Sequence, residues 1–456
     1  MITMERPAPT VVAPDVAAVR RRRWPTAGAL AGGAVLIAST VVRGRDLQRT
    51  SPEVFLGAAP LVGRSFRDGW DWRFGWALVG AAVVAGVVVA AVSTGWAERV
   101  RLRTLVASAS ITAAAFAVVL ALADGADGVL HGAVDPTEYL AGLRDAPPAG
   151  EFVGTFVDRI DDYSVHVRGH PPGFVLLLKV VHALGLRGAW PVAALSIAGA
   201  GVVVAAVLTT VWAVAGPGWV RRCAPFLVLS PYALWLVTSA DAVYTAVGAS
   251  GVALLALGLR AHRARSVVVG LTGGLLLGAL LFGTYLGAVY LVLPSALALR
   301  GLRQRRFAAT IGAAAGIAVV VLAFLAAGFW WVDGAHRTRV EYWEGTAQFR
   351  HWGYFGWSNL AAALIAVGPA AVAGIVRLRD RRMWWLVGGA LAALTVSHLS
   401  QYTRGEVERI WLLFFPWLAL AGGALAVRAT RRSVSLWLGV QAACAIALQA
   451  ALVSKW

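Results

Sequence analysis

Apolar runs of roughly 17 to 25 residues recur along almost the whole chain, and this is the length that crosses a bilayer as an α-helix. Within lipid a backbone must satisfy its own hydrogen bonds, so a chain of such runs is confined to helices or a closed barrel. Unbroken apolar runs, rather than strict alternation, select helices. Hydrophobic residues make up 59% of the 456 positions and charged residues only 14%, too few to cover a soluble protein of this size. The 50 glycines suit close helix packing in lipid. The expected fold is all-α, a polytopic transmembrane bundle of about 13 spans.

The net charge is +18, but the arginines do not form a nucleic-acid footprint. They sit in short clusters between apolar runs: Arg20 to Arg23, Arg99 to Arg103, Arg260 to Arg265, Arg300 to Arg306, Arg377 to Arg382 and Arg428 to Arg432. That is the pattern of cytoplasmic loops under the positive-inside rule, beside anionic lipid. A bilayer is therefore the expected partner, in a multi-pass protein of the plasma membrane, and nucleic acid is not. Cys223 and Cys444 both lie in or beside apolar segments, so neither a disulfide framework nor a cysteine metal site is expected.

Charge bias divides the chain. Residues 1–25 are Pro-rich, then basic, and read as a disordered cytoplasmic tail. Residues 26–103 hold two N-terminal spans, with a short outer loop ending near Trp72. Residues 104–430 form the main membrane core, with outer loops at 124–172, 332–357 and 398–409, and residues 431–456 form a last span. The segment 174–187 is apolar but short, and both a crossing and an interfacial helix fit it. Residues 223–259 read as two short helices or one broken one, interrupted by Pro225, Pro231 and Asp241.

The loop 124–172 carries nine of the 23 acidic residues: Asp124, Asp127, Asp135, Glu138, Asp145, Glu151, Asp158, Asp161 and Asp162. With the other two outer loops it gathers carboxylates, arginines, histidines and aromatics on one side of the membrane. Such a set fits a reaction on a lipid-linked anionic substrate: a carboxylate can serve as general base toward a hydroxyl, and arginines can clamp a phosphate. Several of these residues also have simpler readings. Asp127 lies just past a helix end, where it can face water. Asp135 precedes Pro136 and can cap the next helix. His170 can bond the backbone at the Pro-Pro turn. Asp241, inside an apolar stretch, is costly enough to imply a purpose, whether substrate contact or pairing with an arginine. Glu406, Glu408 and Arg409 can form an interfacial ion cluster.

Four features, taken together, resemble the membrane-embedded GT-C glycosyltransferases, particularly the group of protein O-mannosyltransferases and aminoarabinose transferases. They are Asp135-Pro136-Thr137-Glu138-Tyr139-Leu140 in a long outer loop; His170-Pro171-Pro172-Gly173 closing that loop; Ser230-Pro231 followed by Thr238-Ser239-Ala240-Asp241; and Gly405-Glu406-Val407-Glu408-Arg409-Ile410-Trp411 running to Phe415-Pro416. The resemblance covers about residues 104–430. It implies transfer of a sugar from a polyprenyl-phosphate donor to a lipid, glycan or protein acceptor of the cell envelope, on the extracytoplasmic side. It makes Asp135 or Glu138 the candidate base, with Asp127 as a further candidate. Arg168, His170, Asp241, Arg404, Glu406 and Arg409 become candidate substrate contacts. The chain departs from the family in carrying two extra N-terminal spans and in lacking an Asp-x-Asp or adjacent Asp-Glu pair at the key place. No cofactor is expected. A divalent cation, Mg2+ or Mn2+, is compatible with the oxygen-rich loop, but no spacing specifies a metal site. The competing expectation is a transporter or flippase of a lipid-linked or anionic substrate. It is disfavoured because midplane charges are few and polar residues crowd one face.

Overall fold

The computed structural model describes residues 16–51, 54 and 72–452. In chain order the principal helices are α1 (Val16–Thr50), α2 (Trp76–Ser93), α3 (Leu102–Ala121), α4 (Gly125–Val134), α5 (Tyr139–Asp145), α6 (Ala149–Gly154), α7 (Val165–Arg168), α8 (Gly173–Ala183), α9 (Ala189–Ala215), α10 (Pro217–Val228), α11 (Asp241–Gly258), α12 (Arg263–Gly283), α13 (Leu286–Arg303), α14 (Phe307–Ala326), α15 (Trp331–Glu344), α16 (Trp352–Arg377), α17 (Arg381–Ser400), α18 (Val407–Leu413), α19 (Phe415–Ala426) and α20 (Arg431–Ala451). Among the described residues eleven segments are long and apolar enough to cross a membrane, and α18 with α19, bent by 77°, makes a twelfth. The protein is an all-α, multi-pass membrane bundle.

The arginine clusters converge on one end. Arg221 donates to the carbonyls of Ala97 and Val100 at 2.5 and 2.9 Å. Arg431 pairs with Glu98 at 2.6 Å, Arg377 donates to Thr26, and Arg260 donates to Ala213 at 3.1 Å. At the other end Ser196, early in α9, donates to the Ser239 carbonyl at 3.0 Å. Helix α10 and the 3-10 turn Pro231–Trp235 therefore run from the basic end toward the Ser239 end, a further pass among the described residues. These ends also settle segment 174–187. Helix α9 starts at the end where α3 finishes, so α8 lies across that end and does not cross.

Helix α11 is central, with 78% of its most apolar window buried, whereas α1 is peripheral at 11%. The N-terminal helices are not a separate unit: α1 packs on α16, and α2 on α20. Helices α12 and α14 pack backbone to backbone. Gly270-x-x-x-Gly274 and Gly312-x-x-x-Gly316 face each other there, and a Cβ on Gly274 would collide with the Ala313 carbonyl. Small residues let backbones meet where lipid supplies no hydrophobic drive.

Helix α16 is broken at Gly368 (φ +76°), ahead of Pro369, which has no N–H to donate. Gln441 of α20, 1% exposed, bridges the break: its Oε1 accepts from Ala370 N at 2.9 Å, and its Nε2 donates to the Val367 carbonyl at 2.8 Å. At the basic end Asp380 caps α17 by accepting from Arg382 N, and it also accepts from the Trp219 indole, both at 2.8 Å. Hydrogen bonds from the Arg382 guanidinium hold the Asp380 carboxyl down at about 2.

Three expectations need correction. Segment 124–172 is not a loop but a layer of short helices, α4 to α7, packed on the bundle end. Gly132 there meets the Thr238 backbone, and Gly173, opening α8, meets Phe282. The expected tail 1–25 is helical from Val16, while residues 1–15 and most of the loop preceding Trp72 lie outside the described residues. Residues 332–357 are likewise mostly helical, in α15 and the start of α16.

Candidate functional site

Helix α4 stops where Asp135 precedes Pro136, since a residue before proline is driven out of the helical region. Asp135 Oδ1 accepts from Thr137 N at 2.8 Å and from the Thr137 hydroxyl, closing an Asx-type turn. That turn throws Glu138 inward, where it is 3% exposed. The segment is clamped from the other side: His166 N donates to the Thr137 carbonyl at 3.0 Å and the Ser164 hydroxyl to the Glu138 carbonyl at 3.2 Å.

Glu138 Oε1 lies 3.1 Å from His166 Nδ1 and 3.4 Å from Arg409 Nη1. Arg409 Nε in turn lies 3.6 Å from Asp241 Oδ2. Asp241 opens α11, where the helix dipole favours a carboxylate, and accepts from the Ser239 hydroxyl at 3.0 Å. Arg409 enters from α18, whose approach is set by two left-handed residues, Gly405 (φ +85°) and Glu406 (φ +62°). One guanidinium thus faces two carboxylates, and the His166 imidazole gives Glu138 a second nitrogen partner. A buried charge is tolerated only with such partners.

An aromatic wall adjoins this network. Tyr244 OH donates to Tyr139 OH at 2.9 Å. His170 stacks on Tyr244 at 5.7 Å between centroids and meets Tyr139 edge-on at 5.6 Å. Its Nδ1 donates to the His166 carbonyl at 2.9 Å, which leaves Nε2 as the lone-pair nitrogen. Burial pushes the His170 imidazole below its ordinary value, with Asp241 pulling the other way.

Of the residues singled out in the sequence, Glu138, His170, Asp241 and Arg409 come together here. The others are placed elsewhere. Asp135 is engaged in its turn and lies 3.6 Å from His131, and Asp127 is exposed on α4. Arg168 reaches Glu341 of α15 at 3.5 Å, and Arg337 joins Glu341 at 3.0 Å and Asp161 at 2.8 Å. Arg404 and Glu406 belong to a strap between α17 and α18 that is locked to Arg350. Arg350 donates to Glu406 Oε1 at 2.8 Å and to the Arg404 carbonyl at 2.7 Å, while Arg404 donates back to the Arg350 carbonyl at 2.7 Å and covers the Trp343 ring. Sequence reasoning missed His166, Tyr139 and Tyr244. The four-residue spacing of His166 and His170 was a readable signal for the first; Tyr139 stood in the Asp135–Leu140 motif without a role, and nothing in the sequence marked Tyr244.

Among the described residues no group of three or more His, Cys, Asp or Glu side chains is placed to hold a metal ion. No protein-family model matches the chain, and no curated protein matches it. The site is therefore read from its geometry alone. It offers a carboxylate beside a guanidinium and an imidazole, a second carboxylate on the same guanidinium, and a further imidazole and two phenols alongside.

Proposed function

We propose that this protein is an integral-membrane glycosyltransferase, moving a sugar from a polyprenyl-phosphate donor to a hydroxyl of a cell-envelope acceptor. The observation that carries the proposal is the buried Glu138–His166–Arg409–Asp241 network at the bundle end opposite the arginine clusters. The positive-inside rule supports a cytoplasmic arginine end, and in this reading Glu138 works at the extracytoplasmic face of the plasma membrane. The GT-C resemblance points the same way. In the proposed reaction Glu138 takes the proton of the attacking hydroxyl. The acceptor oxygen bonds to the anomeric carbon as the bond from that carbon to phosphate oxygen breaks. Polyprenyl phosphate departs as an anion needing no acid, and Arg409 offsets its charge. Asp241 holds Arg409 in place.

A transporter of a lipid-linked or anionic substrate is the second reading. It draws on the interruptions at Pro231 and between α18 and α19, since broken helices line transporter sites.

The test is sugar transfer by the purified protein in nanodiscs, with radiolabelled polyprenyl-phosphate sugars, a membrane extract as acceptor, and Mg2+ or Mn2+ present or chelated. Wild type and Asp135→Asn should transfer label, and Glu138→Gln should lose roughly 10²- to 10⁴-fold. Full transfer by Glu138→Gln would remove Glu138 as base. Saturable uptake into vesicles with no transfer from any donor would favour the transporter.

A further inference from the structure

The basic end holds a second charged feature, independent of Glu138. A cavity of about 400 Å³ opens where the ends of α9, α11 and α13 meet the starts of α14 and α17, lined by Arg260, Arg300, Gln304, Arg306 and Arg382. Arg382 is neutralised by Asp380 at 2.8 Å. The other three have no carboxylate partner among the described residues, and no acidic residue lines the cavity. Their contacts are main-chain carbonyls at helix ends: Arg260 donates to Ala213 at 3.1 Å, Arg300 to Val214 at 3.5 Å, and Arg306 to Leu259. Capping a helix end suits a cation, but it uses few of the five N–H donors each guanidinium carries. Three charges with spare donors share one hollow, with no carboxylate beside them among the described residues.

The rim indicates what supplies it. Trp212, under the Arg260 guanidinium at 4.7 Å, is 36% exposed, and Leu302 and Phe307, within two residues of lining residues in the chain, are exposed as well. Apolar surface running from a ring of cations suits an amphiphile better than a soluble anion. We infer that this cavity binds the phosphate headgroup of an anionic phospholipid from the leaflet at the basic end, with Arg260, Arg300 and Arg306 as its ligands. Guanidinium forks match phosphate oxygens, and basic pockets between membrane helices accept such headgroups.

The test is lipid binding to the delipidated protein in detergent, by native mass spectrometry and thermal scanning, with phosphatidylglycerol, phosphatidylcholine and inorganic phosphate as probes. Each arginine near an anionic headgroup contributes about fivefold in affinity, so Arg300→Gln with Arg306→Gln should weaken phosphatidylglycerol binding about 30-fold. Arg432→Gln, an exposed arginine at the same end, should leave binding unchanged, and the double lysine variant should retain most of it. If the double glutamine variant does not fold, Arg260→Gln alone should show the fivefold loss. Unchanged binding in the folded glutamine variants would overturn the inference. So would equal stabilisation by phosphatidylcholine, or stabilisation by inorganic phosphate but not by lipid.

Discussion

Replacing Arg409 with Met keeps much of its length and removes its charge. Glu138 and Asp241 then lose a guanidinium at 3.4 and 3.6 Å. With an effective dielectric constant of about 20, each contact is a gross attraction of about 5 kcal/mol. Removing the arginine also removes its own desolvation cost, so the net loss is smaller. Stranding a buried charge by deleting its partner costs about 3–5 kcal/mol. The geometry makes the loss unequal. Glu138 retains His166 at 3.1 Å, whereas Asp241 is left with the Ser239 hydroxyl as its nearest support. Asp241→Asn should therefore rescue Arg409→Met more than Glu138→Gln does, and the triple variant should recover most of the stability, since a neutral network strands no charge. The assay is equilibrium unfolding in mixed detergent and SDS micelles, followed by tryptophan fluorescence. A loss of under about 1 kcal/mol in Arg409→Met would refute the reasoning. So would a larger rescue by Glu138→Gln than by Asp241→Asn, because it would show that His166 does not support Glu138.

Three further outcomes are expected, the first two from the same measurement. Gln441→Leu strands the Ala370 N–H and the Val367 carbonyl at the α16 break, costing roughly 2–6 kcal/mol at about 1–3 per buried group; a loss under about 1 kcal/mol would mean the break is satisfied without Gln441. Gly368→Ala should also destabilise, because its Cβ would lie 2.6 Å from Gln441 Nε2 at a positive φ. Asp380 has a depressed carboxyl, so its contribution is present above the unfolded value of about 4 and is lost as pH falls toward about 2. Asp380→Asn should flatten the pH dependence of the melting temperature across that window, and an unchanged profile would deny the Arg382 pairing a role.

The helical class and the grouping of arginines at one end were legible because lipid leaves a backbone few options and because the clusters punctuate every apolar run. Asp241 was legible for the same reason, as a charge set in an apolar stretch. The choice between Asp135 and Glu138 was not. Both flank Pro136-Thr137, and only the turn that Asp135 makes with Thr137 decides which of the two is buried. The layer of helices over 124–172 was hidden because its acidic residues, such as Asp127 and Asp161, sit on exposed faces while Phe152, Phe156 and Tyr163 pack beneath. A high polar content masked a half-buried amphipathic pattern. Tyr139 and Tyr244 bond each other across 105 residues, a long-range pairing that local pattern does not encode.

The Glu138–Arg409 contact spans 271 residues of chain. At a synthesis rate of about 5–20 residues per second, Glu138 is made roughly 15 to 55 s before its arginine exists. Asp241 waits as well, at the mouth of α11. For that interval the carboxylates must stay protonated, hydrated or sheltered by the insertion machinery, and the first helices cannot adopt their final packing around them. The last ninth of the chain therefore completes the fold electrostatically, and a nascent protein halted before α18 would leave Glu138 and Asp241 without their guanidinium at the bundle end, a mark by which quality control can tell an unfinished bundle from a finished one.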